Sequence, residues 1–151
     1  MKNIVLSTII IVLTTINLNA QSVEFKIITS IESIVPMGLG RSRIISSDEV
    51  QDYKNFTSTR SLENKKQNKS KRAKVKINQF EETKLVNFYS IAGINFKNIA
   101  SNDAIISSKI NAMVAEGWDL AFVTSAVESD SGEGDGKGIF ITRYIFKRLK
   151  Q

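Results

Sequence analysis

Alternating apolar and polar positions mark the first element of the chain. Residues 23–35 are rich in β-branched side chains and partly alternate between apolar and polar, which favours a strand. Pro36, Gly38 and Gly40 follow and end this strand. Residues 41–45 can return beside it, so the pattern predicts a hairpin with a loop of several residues.

An apolar and aromatic stretch at 85–96 has Gly93 in its middle. Its composition predicts a buried segment. A short apolar run does not separate a strand from a short helix, so both interpretations stay open.

The clearest helical pattern lies at 103–116. Apolar residues recur there at spacings of three and four and share one face: Ile106, Ile110, Met113 and Val114. Ser101 or Asn102 can cap the start, and Asp103 in the first turn suits the helix dipole.

The end of this helix is predicted at Gly117. A glycine there can adopt the left-handed conformation that stops a helix. Trp118 is the next residue, and we expect it to fold back against Met113, the usual apolar contact of such a stop.

Two more strands complete the pattern, at 118–127 and 139–148. The polar, glycine-rich residues 129–138 between them predict a loop. Large apolar groups occur on both faces of the last strand, with Phe140, Thr142, Tyr144 and Phe146 on one face and Ile139, Ile141, Arg143, Ile145 and Lys147 on the other. We therefore predict that this strand is central, in an α+β domain with an antiparallel sheet of about four to five strands and one main amphipathic helix on one face.

The first 20 residues have the features of a signal peptide. Lys2 precedes a largely apolar run at 4–16, and Ala20 is a small residue suited to cleavage. We expect cleavage after Ala20 and export to the periplasm or the exterior, with an uncleaved anchor as the alternative. The mature chain has no Cys that could be lipidated, so we do not expect a lipoprotein. It also has no other apolar segment of spanning length, so we predict no membrane span after cleavage.

The excess positive charge lies in one segment. Residues 46–76 hold nine basic and four acidic residues, and only six of the 31 are apolar. Such a segment buries too little surface to offset the entropy of ordering. The mature chain is therefore divided into a hairpin at 21–45, a disordered basic insertion at 46–76 and the remainder of the domain at 77–151.

The composition excludes several chemistries. The chain has no Cys and no His, so thiol nucleophiles, imidazole bases and disulfides are absent. The carboxylate pairs Asp48/Glu49 and Glu81/Glu82 lack the apolar setting that raises a pKa. Lys109 follows Ser107 and Ser108, but adjacent helical residues point in different directions. We predict no catalytic residue, no cofactor and no metal, and hence a non-enzymatic protein.

Two segments are candidate anion-binding sites. Residues 38–43 can form a glycine nest with Arg41 and Arg43, although a turn with exposed arginines is the simpler interpretation. The insertion supplies the other candidates: Lys65, Lys66, Lys69, Lys71, Arg72, Lys74 and Lys76. Residues 60–76 contain no aromatic side chain for base stacking, so this run favours a polyanion without a specific nucleic-acid motif. A solvated loop or a site of proteolytic processing are the alternatives.

Residues 131–136 alternate glycine with oxygen-bearing side chains, which is a weak calcium pattern. An EF-hand loop needs a Glu at its twelfth position, where this chain has Thr142.

Two motifs near the C-terminus resemble those of a family of small bacterial domains of unknown function. They are Glu-Gly-Trp-Asp-Leu at 116–120, where the family usually has Glu in place of Asp119, and Tyr-Ile-Phe-Lys-Arg at 144–148. Residues 31–43 and 93–99 are similar to segments of short exported proteins of uncharacterised role from Gram-negative bacteria. The resemblance implies a fold and a compartment and assigns no catalytic or binding residue.

Two functions remain open at this point. The basic insertion favours an exported module that binds an anionic partner. The alternative is an assembly subunit that pairs with a protein through residues 85–96 or through a sheet edge. In both cases we expect a purely structural role for Gly117, Trp118, Met113, Ile106, Ile110, Phe140, Tyr144 and Phe146.

Overall fold

A computed structural model describes residues 22–33, 42–63, 68–127 and 138–150. Its main sheet has five antiparallel strands in the order β3-β2-β1-β7-β6. The elements are β1 (Val23–Ser33), β2 (Arg43–Ser46), a 3-10 helix (Tyr53–Phe56), α1 (Arg72–Val75), β3 (Glu81–Lys84), β4 (Tyr89–Ser90), β5 (Gly93–Ile94), α2 (Phe96–Ala115), β6 (Asp119–Val127) and β7 (Ile139–Leu149). The predicted α+β fold is confirmed.

The core lies between the sheet and α2. Strands β1 and β7 pair along their full length of 11 residues, and β7 is an inner strand and not an edge, as predicted, with β6 on its other side. The buried cluster consists of Ile28, Ile44, Leu85, Met113, Trp118 and Phe146, and Ile105, Ile106, Ile110 and Tyr144 pack against it. Phe140 lies at the margin of this core and contacts Phe88, with ring centroids 5.6 Å apart.

The C-terminal end of α2 confirms the predicted stop. Gly117 has φ +83°, the left-handed conformation that other residues adopt with strain. The Trp118 N–H donates to the Met113 carbonyl (3.0 Å) and the Gly117 N–H to the Val114 carbonyl (3.0 Å). This is a Schellman motif, and it directs Trp118 into the same buried cluster as Met113.

The N-terminal end of α2 differs from the prediction. The helix begins at Phe96, and its cap is Asn95, whose side chain accepts a hydrogen bond from the Asn98 N–H. Ser101 and Asn102 are therefore interior helical residues and not caps. The predicted start of the helix was too late, because Asn102 interrupts the apolar periodicity. This residue faces the core and is fully buried. Val114, predicted on the apolar face, is more than half exposed.

The prediction of a buried segment at 85–96 is wrong for most of its length. Leu85 is buried because it extends β3, its N–H donating to the Ser42 carbonyl (3.0 Å). Beyond it the chain leaves the sheet and forms the small β4–β5 pair, with Gly93 at φ +104°. Ile91 and Phe96 lie there largely exposed. The segment is neither one strand nor a helix.

Hydrogen bonds join the outgoing and returning legs of the insertion. The Glu49 carboxylate accepts from the backbone N–H groups of Asn78 and Gln79 (2.8 and 3.2 Å). Further along, Asn68 donates to the carbonyls of Asn55 and Thr57 (3.0 and 3.1 Å). The described parts of 46–76 thus form an arm whose two legs run side by side, and the disorder predicted for this segment stays a prediction.

Several predictions fall on other parts of the chain. The signal peptide at 1–20, the glycines at 38 and 40, and the calcium pattern at 131–136 lie outside the described residues. Within the described ranges, none of the helices has the length and apolar character that crossing a membrane requires.

Candidate interaction surfaces

The two edges of the main sheet have opposite chemistry. Strand β3 forms one edge with the four residues Glu-Glu-Thr-Lys, three of them charged. Strand β6 forms the other edge with nine residues, of which only Asp119 is charged. Short, charged strands discourage pairing with another chain, whereas long, uncharged strands invite it. Only the β6 edge is therefore suited to adding a strand.

Strand β6 is open to solvent along its whole length. All nine of its residues are exposed, and in the described ranges β7 is its only strand partner. An irregularity between Leu120 and Phe122 interrupts the register near its start. From Phe122 to Val127 the pairing with β7 is regular, so six residues present an uninterrupted row of outward backbone groups.

The face of the sheet opposite α2, here called the outer face, is mostly apolar. The registers place three cross-strand rows there, each written in the order β1, β7, β6: Ile27, Ile145 and Phe122; Thr29, Arg143 and Thr124; Ile31, Ile141 and Ala126. Phe122 is 62% exposed and Ile27 is 50% exposed. Large exposed apolar areas on small proteins commonly mark binding surfaces.

Arg143 lies at the centre of the outer face. The residues directly across from it are Thr29 and Thr124, and its neighbours along β7 on this face are Ile141 and Ile145. Among the described residues Arg143 makes no salt bridge. Two other cations on the outer face have opposite neighbours, since Arg43 contacts Glu82 (2.7 Å) and Lys147 lies across from Asp119, whereas Lys84 at the β3 edge lies across from Arg43.

A groove of about 400 Å³ runs beside this centre. Its floor is formed by Ile27, Thr29 and Ile45 on the outer face, and Ile77 and Phe80, which lie between the arm and β3, line its side. Most of the lining is apolar. Thr29 links the groove to Arg143, because it belongs to the groove floor and also lies directly across from Arg143.

The structure places the candidate anion-binding residues apart. Five of them lie on the arm and are exposed, with no ion pair among the described residues: Lys69, Lys71, Arg72, Lys74 and Lys76. Arg43 is a β2 residue engaged with Glu82, and the preceding Ser42 is buried, its hydroxyl donating to Asn87 Oδ1 (2.7 Å). Arg41, Lys65 and Lys66 lie outside the described residues.

Two of the four candidate carboxylates, Asp48 and Glu81, are paired with lysines. Asp48 contacts Lys26, and this hydrogen bond lowers the pKa of Asp48 from its ordinary value of 3.8. Glu81 contacts Lys109 (3.0 Å), which lowers the pKa of Glu81 in the same way. A general acid needs the opposite shift. In the described part of the chain, no group of three acidic side chains is arranged to hold a metal ion.

These two lowered pKa values predict a weak acid sensitivity. A carboxyl whose pKa is lower in the folded state contributes stability above its unfolded pKa, and that stability is lost as the pH falls through the folded value. We expect the Asp48→Asn/Glu81→Gln variant to lose less stability than the wild-type chain between pH ~5 and ~2. The measurement is urea unfolding across this range. Equal losses in both proteins would show that the two pairs carry no such stability.

No comparison with known proteins assigns a role to these surfaces, so any inference about function rests on the surfaces alone. The scan against protein-family models, the search of curated proteins and the search of solved structures each give no match.

Proposed function

We propose that this chain is an exported, non-enzymatic assembly subunit that pairs with a second copy of itself through the β6 edge. The observation that carries the proposal is the contrast between the two edges of one sheet, short and charged at β3, long and uncharged at β6. Export rests on the leader-like residues 1–20 and on the resemblance of the chain to exported bacterial proteins.

A second copy fits the β6 edge because the strand is compatible with its own antiparallel image. A two-fold axis through Val123 pairs Phe122 with Thr124 of the other copy, so that outer faces lie on the same side of the joined sheet. The only charge, Asp119, then lies opposite Val127, and no like charges meet. The product is a ten-stranded sheet, and such two-fold interfaces are the commonest in oligomers.

Backbone pairing alone does not hold such a dimer. Hydrogen bonds contribute about 0.5–1.5 kcal/mol each, and association costs roughly 4–15 kcal/mol. The exposed side chains of Phe122, Val123 and Val127 must therefore add apolar contact across the axis. Charges introduced on this strand should consequently break the dimer.

The test is the substitution Val123→Lys. The Val123 side chain is 44% exposed, so the fold should tolerate the change, whereas pairing about the two-fold axis would bring the lysines of two copies together. We expect wild type to be a dimer by sedimentation equilibrium and the variant to be a monomer with an unchanged far-ultraviolet spectrum.

The matched control is Thr83→Lys, which adds a lysine to the β3 edge. It should leave the dimer intact. A wild-type chain that is monomeric at the highest concentrations, or a dimer that survives Val123→Lys, would contradict β6 self-pairing. A dimer broken by Thr83→Lys would place the interface at the other edge.

Polyanion binding by the arm is a second candidate function. It is supported by the exposure of its five described basic residues and by their lack of acidic partners within the described ranges. Such binding depends on counterion release and weakens steeply with salt. Pairing at β6 involves no charged contact and should change little over the same salt series, which separates the two functions.

A further inference from the structure

We propose that the outer face binds an amphiphile with an anionic head, specifically an aliphatic carboxylate. The aliphatic chain occupies the groove under Ile77 and Phe80, and the carboxylate binds the Arg143 guanidinium. This site is separate from the β6 backbone edge and goes beyond the assembly function.

Charge identifies the head group. Arg143 is a permanent cation in the middle of an apolar face, and its cross-strand neighbours Thr29 and Thr124 have hydroxyls but no charge. Among the other cations of this face, Arg43 contacts Glu82 and Lys147 lies across from Asp119, while Lys84 is at the charged β3 edge, away from the apolar centre. A carboxylate supplies the missing partner, because a guanidinium binds it with two parallel hydrogen bonds.

The size of the groove identifies the tail. Its volume of about 400 Å³ is within the range of small-molecule sites and its walls are mainly apolar. A flexible hydrocarbon chain fits this space and buries the exposed parts of Ile27 and Phe80.

The position of Thr29 joins the two halves of the site. It belongs to the groove floor, and the register sets it directly across from Arg143, where cross-strand Cβ atoms are ~4.5–5.5 Å apart. The head group therefore meets the guanidinium where the groove ends.

A second copy of the chain is a poorer occupant of this face. Face-to-face packing about a two-fold axis at the centre would bring two Arg143 side chains together with no acid between them in the central row. Like charges in such a contact oppose association.

The probe is dodecanoate, titrated below its micelle concentration into the full chain and followed by calorimetry. We expect Arg143→Gln to weaken binding at least tenfold, because the charge-assisted hydrogen bonds are lost. Dodecanol has the same tail without the charge, so it should bind wild type and Arg143→Gln equally. Ile27→Asp, which puts a charge on the groove floor, should remove binding of both compounds.

Lys147→Gln is the matched control, since Lys147 is on the same strand and face but lies across from Asp119. It should bind dodecanoate like wild type, and so should the Val123→Lys variant. No binding by the wild-type chain, or equal binding by wild type and Arg143→Gln, overturns the proposal. An acidic amphipathic peptide that binds through Arg143 where dodecanoate does not also overturns it and assigns the face to a protein partner.

Discussion

Replacing Phe146 with alanine is expected to destabilise the fold by about 3–5 kcal/mol, the usual cost of truncating a buried phenylalanine. Phe146 has no exposed surface and lies on the inner strand β7, in the cluster that contains Met113 and Trp118. The loss combines the apolar contacts of the ring with the cavity that it leaves. Because domains of this size are stable by only about 5–15 kcal/mol, the variant should unfold at a much lower denaturant concentration.

The measurement is equilibrium unfolding in urea, followed by the fluorescence of Trp118, the only tryptophan of the chain. Phe25→Ala is the matched control, because Phe25 is on the adjacent strand β1 but is 64% exposed on the outer face. We expect that control to cost less than about 1 kcal/mol. Similar losses for the two variants would show that the core does not lie between the sheet and α2.

The features that the sequence predicted well are those fixed by neighbours along the chain. Gly117 and Trp118 specify a helix stop by themselves, since the required conformation and the returning contact with Met113 involve only the last turn of α2. The alternation in β7 likewise shows two apolar faces, and only an inner strand can cover both.

The features that were missed depend on distant contacts. Residues 85–96 have an apolar composition, but composition does not say whether a surface is available to cover them, and most of them lie beyond the sheet. The start of α2 could not be predicted for a related reason, because it also depends on contacts with distant residues. Asn102 has a residue type typical of caps, and its partners Val86 and Glu32 lie elsewhere in the chain.

The site around Arg143 cannot be predicted without knowing the order of the strands in the sheet. The sequence places Arg143 on one face of the last strand together with Ile141 and Ile145, but its cross-strand neighbours follow from the registers with β1 and β6. Which strands lie at the edges of the sheet also follows only from the strand order. Charge, in contrast, can be read directly from the sequence, so the sequence favours the basic insertion as the binding surface.

Asn102 is the residue on which the helix and the returning segment depend together. Its side chain accepts from the Val86 N–H (2.9 Å) and donates to the Val86 carbonyl (2.7 Å) and the Glu32 carboxylate (2.9 Å). The amide thus replaces the strand partner that Val86 lacks after β3 ends. A buried polar residue is retained in a core when all its hydrogen bonds are made, as they are here.

Asn102→Ala should therefore cost about 2–4 kcal/mol, because three hydrogen bonds are lost, two with the Val86 backbone and one with the Glu32 carboxylate. Asn102→Asp is the sharper test. It keeps one acceptor for the Val86 N–H but faces the Glu32 carboxylate with a second negative charge, so acidification, which removes this repulsion, should recover part of its stability.

Urea unfolding at several pH values measures both effects, with Asp103→Ala as the control on the adjacent exposed position. Alanine is the better helix former, so this control should be neutral or slightly stabilising. If Asn102→Ala unfolds like the control, Val86 has another partner and the amide does not join α2 to the segment after β3. If Asn102→Ala loses the expected stability and Asn102→Asp regains stability on acidification, the Asn102 side chain holds the N-terminal part of α2 on the sheet. This is the same residue that interrupts the apolar pattern of the helix.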